Sequence, residues 1–274
     1  MSKPKYPGPE LVLFLLTLLL LTCIGLAFYT WGVGDKVAHW LQPSSKTPAQ
    51  KAKPVQVSKE ETQSFAVKEL PARLYVENDV GPIYIKSSAQ KKVIIHAQVQ
   101  AWGSNLSTAR EALEEVKLNF QQNEKGAISA IVHIQRRLPG TQTPSTTLNL
   151  LVPTPCVLEL YNGVGDLKLE NLEGSFYIQS QVGNVQIIHP HLTWPSKLEL
   201  KTGDVHLVLS PEVPLALNLQ TRLGRITSAS DLPIEGTPEK LDAGARLRGF
   251  IQKASAPKLT ILVNAGSIII QKEH

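Results

Sequence analysis

Cysteine is almost absent from this chain: 274 residues contain only Cys23 and Cys156. Cys23 lies inside a long apolar run, so the two are not expected to pair, and a disulfide framework is excluded. The folded part must rely on its apolar core. An excess of one charge is missing as well. The formal net charge is +5, and residues 1–61 hold seven lysines against four carboxylates, a net of +3. Residues 62–274 keep only +2, which argues against the basic footprint of a nucleic-acid binder. Catalytic groupings are also lacking. There is no G-x-S-x-G elbow, and no serine has an assignable histidine and acid.

One long hydrophobic run is present. Residues 11–31, LVLFLLTLLLLTCIGLAFYTW, carry no charge. About 20 apolar residues at 1.5 Å each span a hydrocarbon core of about 30 Å. Lys3 and Lys5 precede the run, and Tyr29, Trp31 and Trp40 suit the far interface. A cleaved signal peptide or a lipoprotein signal ending at Cys23 is the alternative. The run is long for the first, and apolar sequence continues past Cys23. The expectation is an N-terminal tail at 1–10 and a single transmembrane helix at 11–31 in the cell membrane. The large C-terminal domain is then extracytoplasmic. Residues 32–61 read as a linker, because 42–61 are rich in Pro, Ser, Lys and Gln and poor in apolar residues.

The rest, residues 62–274, is organised by a repeated phrase: apolar-x-apolar, a short turn ending in Gly, then x-apolar-x-apolar. The copies are LYVENDVGPIYI (74–85), LELYNGVGDLKL (158–169), FYIQSQVGNVQI (176–187), LELKTGDVHL (198–207), LNLQTRLGRI (217–226) and ILVNAGSIII (261–270). Their pivots are Gly81, Gly165, Gly183, Gly203, Gly224 and Gly266, the last five separated by 18, 20, 21 and 42 residues. A period near 20 marks stacked repeats. Period-two alternation on both sides of each glycine marks half-buried strands. The expected fold is all-β: a β-solenoid or β-roll of stacked two-strand layers, with a β-sandwich of hairpins as the rival. The residue before the pivot is often apolar (Val80, Val164, Val182, Leu223) and is expected to plug the corner from inside.

Other segments fill in the chain. Strands are expected at 72–77, 82–87 and 92–101. Thr108 and Glu111 read as a capping box for one short helix at 109–115. Asn123–Gly126 reads as a hairpin turn, and 136–145 as a loop. Residues 228–258 hide either a degenerate layer at Gly244 or a long loop. The layer at 258–271 is expected to close the stack.

The order of these parts resembles a bacterial family of β-strand-repeat domains called "putative adhesin". Its carriers are LYVENDVGPIYI, Val152-Pro153, VGDLKLENLEGSFYIQSQVGNVQI, KTGDVHL and NAGSIII, over about residues 64–272. The resemblance implies this fold behind one membrane span and implies no particular activity. Asn184, Arg225 and Ser267 depart from the Asp that follows the pivot glycine in the family.

Several residues are candidates for chemistry. Asp166, Asn184 and Asp204 follow pivot glycines and would stack about 4.8 Å apart, as a calcium ladder or as turn residues. His189, His191 and His206 read as a metal start or as loop histidines. Asp166 with Glu170 or Glu173 has the residue types of a glycosidase pair. Asn105-Leu-Ser107 is a glycosylation sequon. Tyr84, Tyr161, Tyr177 and Trp194 are candidates for a sugar- or partner-binding surface. No catalytic, metal or cofactor set is assigned. The expected role is a non-enzymatic envelope protein that displays a repeat surface to an envelope protein or a surface polymer. A regulatory subunit of a membrane partner and a polysaccharide-active enzyme are the alternatives.

Overall fold

Alternating apolar and polar residues can bury one side of a strand and solvate the other, and the chain uses this throughout. In a computed structural model, residues 54–139, 141–236 and 238–273 are described. Strands β1 (Val55–Ala66), β2 (Ala72–Val80), β3 (Ile83–Ser88) and β4 (Lys92–Gly103) precede helix α1 (Leu106–Glu114). Then follow β5 (Val116–Gln122), β6 (Ile128–Ile134), β7 (Gln142–Pro153), β8 (Cys156–Val164), β9 (Leu167–Glu170), β10 (Glu173–Val182) and β11 (Val185–Ile188). The chain continues with β12 (His191–Leu192), β13 (Ser196–Thr202), β14 (Val205–Leu209), β15 (Leu215–Leu223) and β16 (Ile226–Ser228). It ends with β17 (Glu239–Lys240), β18 (Ala245–Ile251), β19 (Lys258–Ala265) and β20 (Ile268–Lys272).

The fold is predominantly β, as expected. Each pivot glycine passes the chain from one sheet to the other. The first sheet has the order β1-β4-β7-β3-β9-β11-β14-β20-β16. The second has the order β17-β18-β15-β19-β13-β10-β8-β2-β6-β5, with β12 on β10. Pairing within the repeated region is parallel and in register: Leu158 with Phe176, Leu198 with Ile261, Leu167 with Val185. The inward residues of both sheets, Leu160, Ile178, Leu200, Leu169 and Ile187 among them, join one buried core. Such a side chain contributes about 1.5–3 kcal/mol relative to exposure.

The last layer does not close the stack. β19 lies between β13 and β15, and β20 between β14 and β16. Alternation decides which face a strand buries but not which neighbour it takes, so sequence order was a poor guide. The Ile-rich layer 258–272 occupies an interior slot, and the layer bearing Arg222 and Arg225 sits nearer the edge. Residues 228–258 are neither a layer nor a plain loop. β18 runs antiparallel along β15 and caps the second sheet, with β17 outside it.

Three further expectations change. Residues 55–61, expected as linker, belong to strand β1. β1 pairs antiparallel with β4 along twelve residues, from Val55 opposite Gly103 to Ala66 opposite Lys92. This backbone pairing outweighs a polar composition, and the polar side chains remain largely in water. The helix starts three residues early. Asn105 caps it, its side chain accepting from the Thr108 N–H at 2.9 Å, while Thr108 Oγ1 accepts from the Asn105 N–H at 3.2 Å. β7 begins at Gln142, inside the expected loop. Residues 1–10, 11–31 and 32–53 lie outside the described residues. Among the described residues no helix is long and apolar enough to cross a membrane.

Candidate ligand-binding face and the corner that supports it

The corner is built from backbone. At Gly183 φ is +139°, and a Cβ there would stand 2.2 Å from the Gly165 carbonyl oxygen of the adjacent layer. The same close approach recurs at Gly81, Gly165, Gly203, Gly224 and Gly266, so the six pivots form one column. Its spatial order is 81, 165, 183, 203, 266, 224.

The residues after the glycines form a second column with a clear task. Asp166 Oδ1 accepts the Asn184 N–H at 2.7 Å, and Asn184 Oδ1 accepts the Asp204 N–H at 3.0 Å. Asp204 Oδ1 accepts the Ser267 N–H at 2.7 Å, and Ser267 Oγ accepts the Arg225 N–H at 3.4 Å. Each side chain satisfies a donor of the next layer, so Asp, Asn and Ser serve alike. Arg225 belongs to the end of the column, where no further pivot layer follows, and an acceptor is not needed there. The departure at Arg225 thus follows from its end position, while Asn184 and Ser267 keep an acceptor. The Oδ1 atoms proposed for calcium are engaged with backbone, and the turn reading holds for this column. We predict that Asp204→Ala lowers stability by about 1–3 kcal/mol through the orphaned Ser267 N–H, and that Asp204→Asn is nearly neutral. Thermal melts with calcium and with a chelator should coincide for the parent chain. A melt raised several degrees by calcium would reverse this reading.

The residues before the glycines face outward. Val164, Val182 and Leu223 are about half exposed, and they do not plug the corner. The inside of the turn is polar, which the sequence reading missed. Asn78 and Asn162, both buried, donate through Nδ2 to the carbonyls of Gly81 (3.0 Å) and Gly165 (2.8 Å). Thr221 Oγ1 donates to the Gly266 carbonyl at 2.6 Å. A small polar residue three before the pivot was the available signal. A turning backbone exposes carbonyls inside the corner, and these require donors.

The other candidates are dispersed. His189 lies 3.3 Å from Glu273, and His191 bonds to the His189 carbonyl at 3.1 Å. His206 is on β14. Among the described residues no three His, Cys, Asp or Glu are placed to hold a metal. Glu170 is paired with Lys168 and Lys86, and the Lys168 ammonium holds its carboxyl below the ordinary range. Asn105 of the sequon is the helix cap. Cys156 is fully buried, and desolvation pushes its thiol up to about 12, so it stays protonated.

What the fold does assemble is the outer face of the second sheet. Tyr161 and Tyr177 stand there on adjacent strands, joined by Tyr75, which sequence reasoning did not single out. Ring centroids are 5.6 Å apart for Tyr75–Tyr161 and 6.2 Å for Tyr161–Tyr177. Tyr84 is on the opposite sheet, and Trp194 is in the turn after β12. Tyr75 Oη donates to Glu77 and Tyr161 Oη to Glu159, both at 2.7 Å. These bonds favour the neutral phenols and, with burial, raise both to about 12. Gln179 donates to Glu199 at 3.0 Å. Lys197 bonds Glu199 and lies 5.8 Å from the Tyr177 ring centre. The Lys197 bond and, less strongly, Gln179 keep the Glu199 carboxyl below its ordinary range. The result is a half-buried aromatic strip with its carboxylates and amides already oriented.

No protein-family model and no curated protein matches the chain. Solved structures do. One, named a "putative cell adhesion protein" of Clostridium sporogenes, aligns over 79% of this chain and 100% of its own. Identity is 13% and the TM-score 0.54. Another, a "putative adhesin" of Bacteroides fragilis, covers 78% of this chain and 97% of its own at 13% identity, with a TM-score of 0.26 that supports no argument. At such identity the likeness concerns fold alone, and in fold this chain is similar to a structure named for bacterial cell adhesion.

Proposed function

We propose that the chain is a non-enzymatic protein of the bacterial envelope that binds another surface component through the outer face of its second sheet. It is held to the membrane by residues 11–31, with its β-solenoid outside the cytoplasm. The observation that carries this reading is the Tyr75–Tyr161–Tyr177 strip. Tyrosines present large contact area at low entropic cost and are characteristic anchors of binding surfaces. Here they project from a rigid parallel sheet rather than from loops. The name of the Clostridium structure agrees with this role.

The test uses cells that carry the full-length protein. Replacing all three tyrosines with serine should lower attachment of purified envelope polymer or of partner cells by about tenfold or more, at unchanged protein level. Attachment unaltered in the triple variant, or attachment of the parent cells no greater than that of cells lacking the protein, would refute the assignment of this face.

A further inference from the structure

We propose that a groove beside the tyrosine strip binds a linear acidic polysaccharide, a reading that rests on the binding role above and names its ligand class. The groove has a volume of about 440 Å³ and runs across β10, β13, β19 and β15. Its lining includes Gln179, Gln181, Lys201, Gln220, Arg222 and Asn264. Four of these are amides, which offer donors and acceptors to sugar hydroxyls. Two are cations, and among the described residues neither Lys201 nor Arg222 has an acidic partner within ion-pair distance. The lining carboxylate, Glu199, is already neutralised by Lys197 and bonded by Gln179.

The cations continue beyond the groove. Arg246 touches Gln220 at 3.4 Å, and it lies beside Glu239 of β17 without an ion pair. Arg248 follows two residues on, exposed on the same face. This edge of the sheet is therefore basic, although residues 62–274 as a whole carry only +2. Such a local field favours a polyanion.

Spacing selects among polyanions. The residues after Lys201 and Arg222, Thr202 and Leu223, both pair with Ala265 of β19. The two cations are thus two strand spacings apart, about 10 Å. That is close to the length of a disaccharide, so a chain with one carboxylate per disaccharide can meet both in succession. Arg222 can take its carboxylate in a bidentate fork, and Lys201 acts as a point charge. Gln181 of β10, between the pairs Ser180–Leu200 and Val182–Thr202, continues the line past Lys201 with an amide, and Tyr177 lies four residues back along the same strand. A lipid surface would need an apolar element to insert, and the groove's exposed lining is polar apart from the half-buried Leu262. The sites therefore divide in two: a charged groove that reads carboxylates and a tyrosine strip that holds rings.

The experiment measures binding of hyaluronan oligosaccharides to the full-length protein in phosphatidylcholine nanodiscs. Polygalacturonate, neutral dextran, a single-stranded oligonucleotide and phosphatidylglycerol vesicles serve as comparisons. Hyaluronan or polygalacturonate should bind, and binding should weaken as salt rises. Dextran should not compete. Lys201→Gln with Arg222→Gln should weaken binding about tenfold or more, with an unchanged melting temperature because both side chains are exposed. Equal binding by the double variant, or binding of the oligonucleotide or the vesicles in preference to both acidic glycans, would overturn the proposal. Attachment lost in the tyrosine variant but indifferent to Lys201 and Arg222 would defeat this inference and leave the broader reading standing. Binding of no component by the parent protein would defeat both.

Discussion

Gly183→Val is expected to lower the melting temperature by roughly 5–20 °C. Two costs add. At φ +139° a β-branched residue is strained by about 1–3 kcal/mol. Its Cβ also meets the Gly165 carbonyl oxygen at 2.2 Å, and backbone paired on both sides does not yield cheaply. Forced overpacking costs about 1–3 kcal/mol more. Gly126→Ala separates the two terms. Gly126 has φ +78°, but nothing lies within 4 Å of a built Cβ. It should therefore lose only the conformational part, about 1–3 kcal/mol. Calorimetry of both variants is the check. An unaffected melt for Gly183→Val would refute the glycine column. Equal losses in the two would show that strain alone governs the corner.

Truncation after Pro257 is expected to abolish cooperative folding. In a stacked array each layer is stabilised by its neighbours, and an interior layer contributes two interfaces where a terminal one contributes a single interface. The segment removed holds Leu259, Ile261, Val263, Ile268 and Ile270, all at most 1% exposed. It separates β13 from β15 and β14 from β16. Its loss leaves two inward faces without partners, Leu198 and Leu200 on one side and Leu217 and Leu219 on the other. Net stabilities are about 5–15 kcal/mol, so losing two such interfaces is comparable to the whole. Circular dichroism melting of the truncated chain beside the full chain is the measurement. A cooperative transition within a few degrees of the parent would mean that β15 re-pairs with β13. The interior position of the last layer would then be dispensable.

The sequence by itself determined the strands and their faces. Leu158, Leu160, Leu167 and Leu169 alternate with polar residues, and alternation plus a glycine every 20 residues or so leaves few ways to bury the apolar set. The pivots were legible because a positive φ selects glycine chemically. The short helix and the turn at Asn123–Gly126 were legible for the same local reason. Only tertiary structure decided which layers are neighbours, because every layer offers the same alternating face and any slot accepts it. It also decided that Val55–Glu61 is strand, since the β4 edge that recruits it lies some forty residues away. The outward position of Val164 goes with Asn162, whose amide turns inward to reach the Gly165 carbonyl, a partner that exists only in the folded corner. The binding face shows the same division. Tyr161 and Tyr177 could be suspected from the chain alone. Tyr75 joins them only because β2 pairs with β8. Lys201 and Arg222 share a groove only because a strand from the C-terminal end lies between theirs.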